Sequence, residues 1–286
     1  MKKRSVIAIL SLSFFSASFA MDRPLTLAQA VEQGDKTRLS EILSEETLTQ
    51  EQADAALLAV SKCGYEETAV SMLKKLCKSQ PFISVLSKKA LHDSFCAAID
   101  AKHPKKLPLL ENICRFYATL DCLKNLIDRA ITNNTPVCII EIIGCLALHC
   151  DALFYAKGGG ERNKIRASLS LYAIKQSVNR GNSVCLTVLL ADTRVADCLA
   201  IPYIDASEIH SIVHDAALSG NVEQVRALLA NSAITDCLSV HEIYTIFYEL
   251  NEVAIMNAAR EAIQEILVTA ADNKGFFANY ITPLFS

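Results

Sequence analysis

SVNRGNSVCLTVLLADTRVADCL, residues 177–199, and AALSGNVEQVRALLANSAITDCL, residues 216–238, are one passage written twice at an offset of 39 residues. Three blocks fall in a single register: Gly181-Asn182 on Gly220-Asn221, Leu189-Leu190-Ala191 on Leu228-Leu229-Ala230, and Asp197-Cys198-Leu199 on Asp236-Cys237-Leu238. Self-similarity at a period of this size marks stacked supersecondary units. The skeleton is a small residue, three variable ones, then Gly or Asn, and apolar residues five, eight and nine positions further on.

The skeleton recurs outward from that pair. Ala30 to Gly34 fits it with Leu39, Ile42 and Leu43, and Ala130 to Asn134 fits it with Ile139, Ile142 and Ile143. Ala254 to Ala258 fits with Ala in the turn position, followed by Ile263, Ile266 and Leu267. Poorer copies centre on Gly64 (Met72, Leu73) and Lys102 (Leu107, Leu110). Anchors therefore stand at 34, 64, 102, 134, 181, 220 and 258. Each unit reads as a helical hairpin: a first helix ends at a residue able to take positive φ, and a second restarts with its apolar stripe on one side. A hairpin that small cannot bury both faces alone and must stack on its copies. The expected fold is all-α, a solenoid of about seven stacked hairpins with little or no β structure. Gly (9) and Pro (7) are scarce in 286 residues, which also argues against a turn-rich β sandwich or barrel.

Val213-His214-Asp215-Ala216-Ala217-Leu218-Ser219-Gly220-Asn221, followed by Val225, Leu228 and Leu229, resembles the core of an ankyrin repeat. Leu189 to Val195 similarly resembles the end of an outer helix entering an ankyrin finger loop. The resemblance implies that the Ala216–Ala217 pair lets inner helices approach closely and that Gly220 closes the turn. It also implies that His214 hydrogen-bonds the neighbouring loop. The full Thr-Pro-Leu-His opening is absent, and the spacings mostly exceed the roughly 33 residues of the family. A tetratricopeptide-type or other α-solenoid is the alternative architecture, above all for the weak middle from Gln80 to Asn133. Lys157 to Lys164, the only Gly-rich stretch, reads as an exposed insertion between units, and residues 268–286 read as an apolar cap over the last hairpin.

The N-terminus is a separate object. Met1-Lys2-Lys3-Arg4 is a basic head, an apolar run follows from Val6 to Ala20, and Ser18-Phe19-Ala20 offers small residues at the two positions a signal peptidase reads. This layout predicts a secretory signal peptide over residues 1–20, cleaved after Ala20. An uncleaved anchor is the alternative, but the run falls short of the roughly 20 residues a spanning helix needs. No later run is long and charge-free enough to cross a bilayer. Removing the leader leaves 25 Lys and Arg against 31 Asp and Glu, a net charge of −6. An acidic chain gains nothing from phosphate neutralisation, so nucleic acid is not the expected partner.

Eleven cysteines sit awkwardly with export. There is no CxxC, and most lie in apolar helical runs such as Val137-Cys138-Ile139-Ile140, so buried free thiols are expected. Equivalent Cys198 and Cys237 fall on neighbouring helices about 8–10 Å apart, too far for a disulfide. In Asp121-Cys122-Leu123, Asp197-Cys198-Leu199 and Asp236-Cys237-Leu238, Asp reads as a helix N-cap or turn former with Cys-Leu in the core.

Other candidate chemistry is thin. The Gly-rich stretch lacks Lys-Ser or Lys-Thr and a preceding strand, as a phosphate loop requires. His210 and His214 stand four apart as in a zinc protease, but Ser211 replaces the general-base Glu and a third ligand is not evident. His149-Cys150-Asp151 places thiol and imidazole side by side in sequence, where they face apart on a helix. Lys102-His103-Pro104-Lys105-Lys106 reads as a solvated basic turn. The expectation is therefore no catalysis, no metal and no cofactor.

The resemblance implies a protein partner, held along the inner helices and finger loops. By that analogy the contact positions are Arg194, Tyr203, Asp205, Glu208 and His210 at one junction, and His241, Glu242 and Tyr244 at the next. An exported protein-protein interaction module, secreted or periplasmic and acting on a host protein, is the first functional expectation. A periplasmic α-solenoid that scaffolds or chaperones envelope components is the second, and an enzyme built around His210 and His214 the third.

Overall fold

A computed structural model describes residues 26–45, 48–63, 66–113, 119–144, 159–199, 205–251 and 257–274. The anticipated leader with its Ala20 cleavage site, Gly64, Cys150 and Tyr203 lie outside them. Among the described residues the protein is all-helical, with seventeen α-helices, one 3-10 turn and no strand.

Fourteen of the helices form seven hairpins. These are α1 (Leu27–Glu32) with α2 (Lys36–Glu45), α3 (Gln50–Lys62) with α4 (Glu66–Leu76), and, after a short α5 (Gln80–Val85), α6 (Lys88–Asp100) with α7 (Leu107–Ile113). Next come α8 (Leu120–Thr132) with α9 (Pro136–Gly144) and the long α10 (Gly159–Asn179) with α11 (Ser183–Ala191). After α12 (Thr193–Leu199) follow α13 (Ala206–Leu218) with α14 (Val222–Leu229). After α15 (Ser232–Cys237) the last pair is α16 (Val240–Glu249) with α17 (Asn257–Asn273). First helices touch the first helices of adjacent pairs, in the order α1, α3, α6, α8, α10, α13, α16. Second helices do the same from α4 through α7, α9, α11 and α14 to α17. One hydrophobic cluster runs between the two rows from Leu27 to Ala271.

The turns inside the hairpins explain the pairing. Gly34, Lys102, Asn134, Gly181 and Gly220 all take positive φ, between 52° and 74°. At each, the anchor's N–H donates to the carbonyl three residues back and the next N–H reaches the carbonyl four before the anchor, as in Asn134 to Ile131 and Thr135 to Ala130. This doubly bonded C-terminus is the Schellman arrangement. The residue four before each anchor is Ala30, Ala98, Ala130, Ser177 or Ala216, all fully buried. Small side chains there let neighbouring first helices close on one another. A Cβ on Gly181 would meet nothing within 4 Å, so glycine stands there for its backbone freedom and not for space.

Lys102 repeats that geometry although its stretch of sequence carries the pattern poorly. A lysine in the left-handed region stores backbone strain. Lys102→Gly is therefore expected to stabilise the protein by about 1 kcal/mol, and Asn134→Gly by less, because Asn tolerates that region better. Urea midpoints of the two variants check the order; a Lys102→Gly protein less stable than its parent refutes it.

After Gly34, Gly181 and Gly220 the next residue caps the second helix. Asp35 Oδ1 accepts from Arg38 N at 2.9 Å, Asn182 Oδ1 from Cys185 N at 3.0 Å and Asn221 Oδ1 from Gln224 N at 3.2 Å. Apolar positions five and eight past the anchors are then sealed: Leu39, Ile42, Ala69, Met72, Leu107, Leu110, Ile139, Ile142, Leu186, Leu189, Val225 and Leu228 are all buried. At nine past, Leu73, Ile143, Leu190 and Leu267 are buried while Leu43 and Leu229 are half-buried and packed on the core.

Several expectations need correction. Ala258 is not a turn residue; it lies in the first turn of α17, which starts at Asn257. Residues 159–164 are not an inserted loop but the opening of α10, whose 21 residues follow into the buried Ala167, Leu169, Leu171 and Ala173. Burial along those later turns holds the helix together and offsets the roughly 1 kcal/mol that each helical Gly costs. Residues 268–273 continue α17 and are not a separate cap, with Ala270 and Ala271 buried; residues 275–286 are outside the described chain. None of the three Asp-Cys-Leu aspartates is an N-cap. Thr119 caps α8, leaving Asp121 in its first turn, whereas Asp197 and Asp236 stand at the ends of α12 and α15. In the Cys-Leu half of the expectation Leu123, Cys198, Leu199 and Leu238 are buried, whereas Cys122 and Cys237 are only half-buried.

The basic turn is only partly solvated. Lys102 and Lys105 are exposed, but Lys106 is fully buried. Its Nζ donates to the carbonyls of Ser61 at 2.9 Å and Cys63 at 2.6 Å, at the C-terminal end of α3 in the preceding hairpin. A cation there satisfies carbonyls that the helix leaves unpaired and meets the negative end of its dipole.

Candidate partner-binding face

Four of the anticipated contact residues open two adjacent first-row helices. Asp205 caps α13, its Oδ1 accepting from Ser207 N at 2.9 Å; that backbone N–H holds its carboxyl below the usual carboxylate range. Glu208 follows in the first turn and is exposed. At the start of α16, His241 is exposed and Glu242 forms a capping box with Ser239. The Ser239 N–H lowers the Glu242 pKa most, with the charges of His210 and His241 adding to it. Tyr244, one turn on, packs against Phe247 and Tyr248 at centroid distances of 6.1 and 6.4 Å, and burial pushes its phenol up.

The remaining two are committed inward. Arg194 bonds Asp192 and reaches Glu141 Oε1 at 3.2 Å, tying α12 to α9. His210 is half-buried and stacks on His214 with centroids 5.9 Å apart. His214 Nε2 lies 2.7 Å from Glu249 Oε2 at the end of α16, so it bridges to the next unit's first helix and not to a neighbouring loop.

A groove that the sequence did not single out joins this face. It encloses about 310 Å³ and is lined by Lys124 from α8, by Leu171, Tyr172 and Lys175 from α10, and by Glu208 and Ile212 from α13. All three are first-row helices, so the groove opens away from the second row. Leu171 and Ile212 are buried and form its floor. The Tyr172 hydroxyl donates to Asp128 Oδ2 at 2.8 Å; burial first, and that carboxylate second, push the phenol up to about 12. Asp128 is also ion-paired with Arg180 at 3.1 Å, which fixes the ring from behind. Lys124 Nζ stands 5.3 Å from the centroid of the Tyr172 ring, a cation–π contact. One signal was available in the sequence: Lys175 stands six residues before its turn, the register of His214 in the next unit.

His92 lies between two thiols, with Cys96 Sγ 3.6 Å from Nε2 and Cys122 Sγ 3.3 Å from Nδ1. The sulfurs address opposite ring nitrogens and do not converge on one point. Among the described residues no three His, Cys, Asp or Glu side chains are placed to hold a metal ion. No described helix is long and apolar enough to cross a membrane. All eight described cysteines are free, Cys198 and Cys237 included. Burial pushes the thiols of Cys77, Cys138 and Cys185 up to about 11 and also raises Cys96, Cys122 and Cys198. The thiolate is the nucleophile, so native Cys138, Cys185 and Cys198 are expected to resist iodoacetamide at pH 8 and to react once urea unfolds the chain. Peptide mapping by mass spectrometry checks this; rapid native labelling of Cys185 refutes it.

No known protein family, curated protein or solved structure matches the chain. The functional reading therefore rests on the geometry above.

Proposed function

We propose that this chain is an exported protein–protein interaction module, built as a solenoid of degenerate ankyrin-like hairpins. The observation that carries the reading is the turn repeated at Gly34, Lys102, Asn134, Gly181 and Gly220, with one hydrogen-bond pattern and one buried small residue at each. Identical turns in register stack like helices on like and create a long side-chain face on the first row. The partner lies across the starts of α13 and α16 and the groove beside them, where Glu208 and His241 are exposed.

Photo-crosslinking tests the reading. A crosslinking residue at Glu208 on the first row is expected to capture a protein partner in the native cell, whereas one at Thr269 on the second row captures none. Absence of any crosslinked protein from either face, with the chain folded, overturns the proposal. Fractionating the same cells locates the mature chain: in the medium or a host it acts as a secreted module, in the periplasm as an envelope scaffold.

A further inference from the structure

We infer that the groove between α8, α10 and α13 receives an acidic segment of the partner protein, a carboxylate seated between Lys124 and Lys175 with an apolar neighbour on Leu171 and Ile212. The inference rests on the interaction-module reading and gives its partner a chemistry.

Charge is the first argument. The chain carries a net charge of −3, yet this groove holds two ammonium groups against the single carboxylate of Glu208. Nearby arginines are already engaged: Arg129 on α8 pairs with Asp100 at 2.6 Å, and Arg180, just past α10, pairs with Asp128 at 3.1 Å. Lys124 and Lys175 form no ion pair with Asp or Glu among the described residues, and Lys124 leans instead on the Tyr172 ring. A cation–π contact leaves most of an ammonium's hydrogen-bonding capacity open to an arriving acceptor.

Shape is the second. Leu171 and Ile212 give a fixed apolar floor, and the Tyr172 ring, tethered through its hydroxyl to Asp128, gives a rigid wall. An anchored aromatic and a preformed floor cost little ordering entropy on binding. Among the groove's side chains no arginine offers the planar fork that matches phosphate, and the lining residue from a helix's first turn, Glu208 of α13, is itself a carboxylate. A carboxylate, which needs only a pair of ammonium donors, fits better than a phosphoryl group.

Fluorescence anisotropy on the full folded chain tests this with four labelled pools of nonapeptides, random except for a central Glu-Leu-Glu, Ser-Leu-Ser, Lys-Leu-Lys or phosphoserine-Leu-phosphoserine. The Glu pool is expected to bind about tenfold more tightly than the Ser pool, and the Lys pool more weakly than either. Lys124→Glu with Lys175→Glu removes the preference, Glu208→Lys strengthens binding about threefold, and Lys62→Glu, on α3 far along the row, changes nothing. A Glu pool that binds no better than the Ser pool, a preference untouched by the double reversal, or a phosphoserine pool that binds where the Glu pool does not, overturns the inference. Circular dichroism confirms that the reversed protein is folded; if it is not, Glu208→Lys alone decides. The crosslinking outcome at Glu208 is read separately: a partner still captured by the reversed variant leaves the module standing and removes the groove's role.

Discussion

Replacing Lys106 by Met is expected to lower the unfolding free energy by about 3 kcal/mol, the effect of leaving buried carbonyls without a donor. Met has nearly the length and shape of the lysine stem, so the apolar packing is retained and the loss isolates the ammonium. Lys106 Nζ reaches the carbonyls of Ser61 and Cys63 from a fully buried position, and those carbonyls close the C-terminal end of α3 in the preceding hairpin. The substitution therefore loosens the joint between two hairpins. Lys105→Met, one residue away and exposed, is expected to stay within about 0.5 kcal/mol of the parent. Urea unfolding followed by far-ultraviolet circular dichroism measures both. Equal midpoints for the two variants would show that the Lys106 charge is dispensable.

The second large effect separates two neighbours on α9. Ile139 is fully buried and Val137 is 50% exposed. Ile139 lies five past the Asn134 turn, on the stripe that fills the space between the rows, and truncating it leaves a cavity that close-packed helices cannot collapse. Ile139→Ala is expected to cost about 3 kcal/mol and Val137→Ala less than about 0.5 kcal/mol. The two substitutions differ in which way the residue faces, so comparable losses would refute the assignment of the stripe. Because the cluster is continuous from Leu27 to Ala271, the Ile139 cavity should lower the unfolding midpoint of the whole chain and not of one hairpin alone.

Much of the hairpin pattern was legible because it is local. A residue with access to positive φ, a small residue four before it and apolar positions five and eight beyond it describe one turn and one helix face, and all are written within about a dozen residues. That is why Gly34, Asn134, Gly181 and Gly220 were found directly. Lys102 shows the limit: its turn has the same bonds as the others, but the neighbouring hairpins impose them on a residue that does not favour the conformation. Local preference was overruled by packing. At Ala258 the skeleton matches a turn, yet the residue is helical, in the first turn of α17, because Ala is a good helix former and does not favour positive φ. The Gly-rich opening of α10 has no local helical signal for the related reason that the helix is held by burial several turns later.

The candidate face divides along the same line. Positions near helix starts, Glu208 and His241, followed from the repeat register, whereas the groove did not. Lys124, Tyr172 and Glu208 are separated by dozens of residues and meet only because first-row helices lie side by side. Arg194 shows the converse, an exposed-looking cation in sequence that the fold commits to Asp192 and Glu141.

From its residues alone this protein declares helices, their turns and the side of each that must be hidden, because these follow from backbone preference and the spacing of apolar side chains. Which charges find partners was settled by the packed rows: Lys106 beneath α3, Arg180 on Asp128, Lys124 left over a tyrosine ring. Electrostatic pairing depends on distances across the stack, and those distances do not exist until the helices have closed on one another.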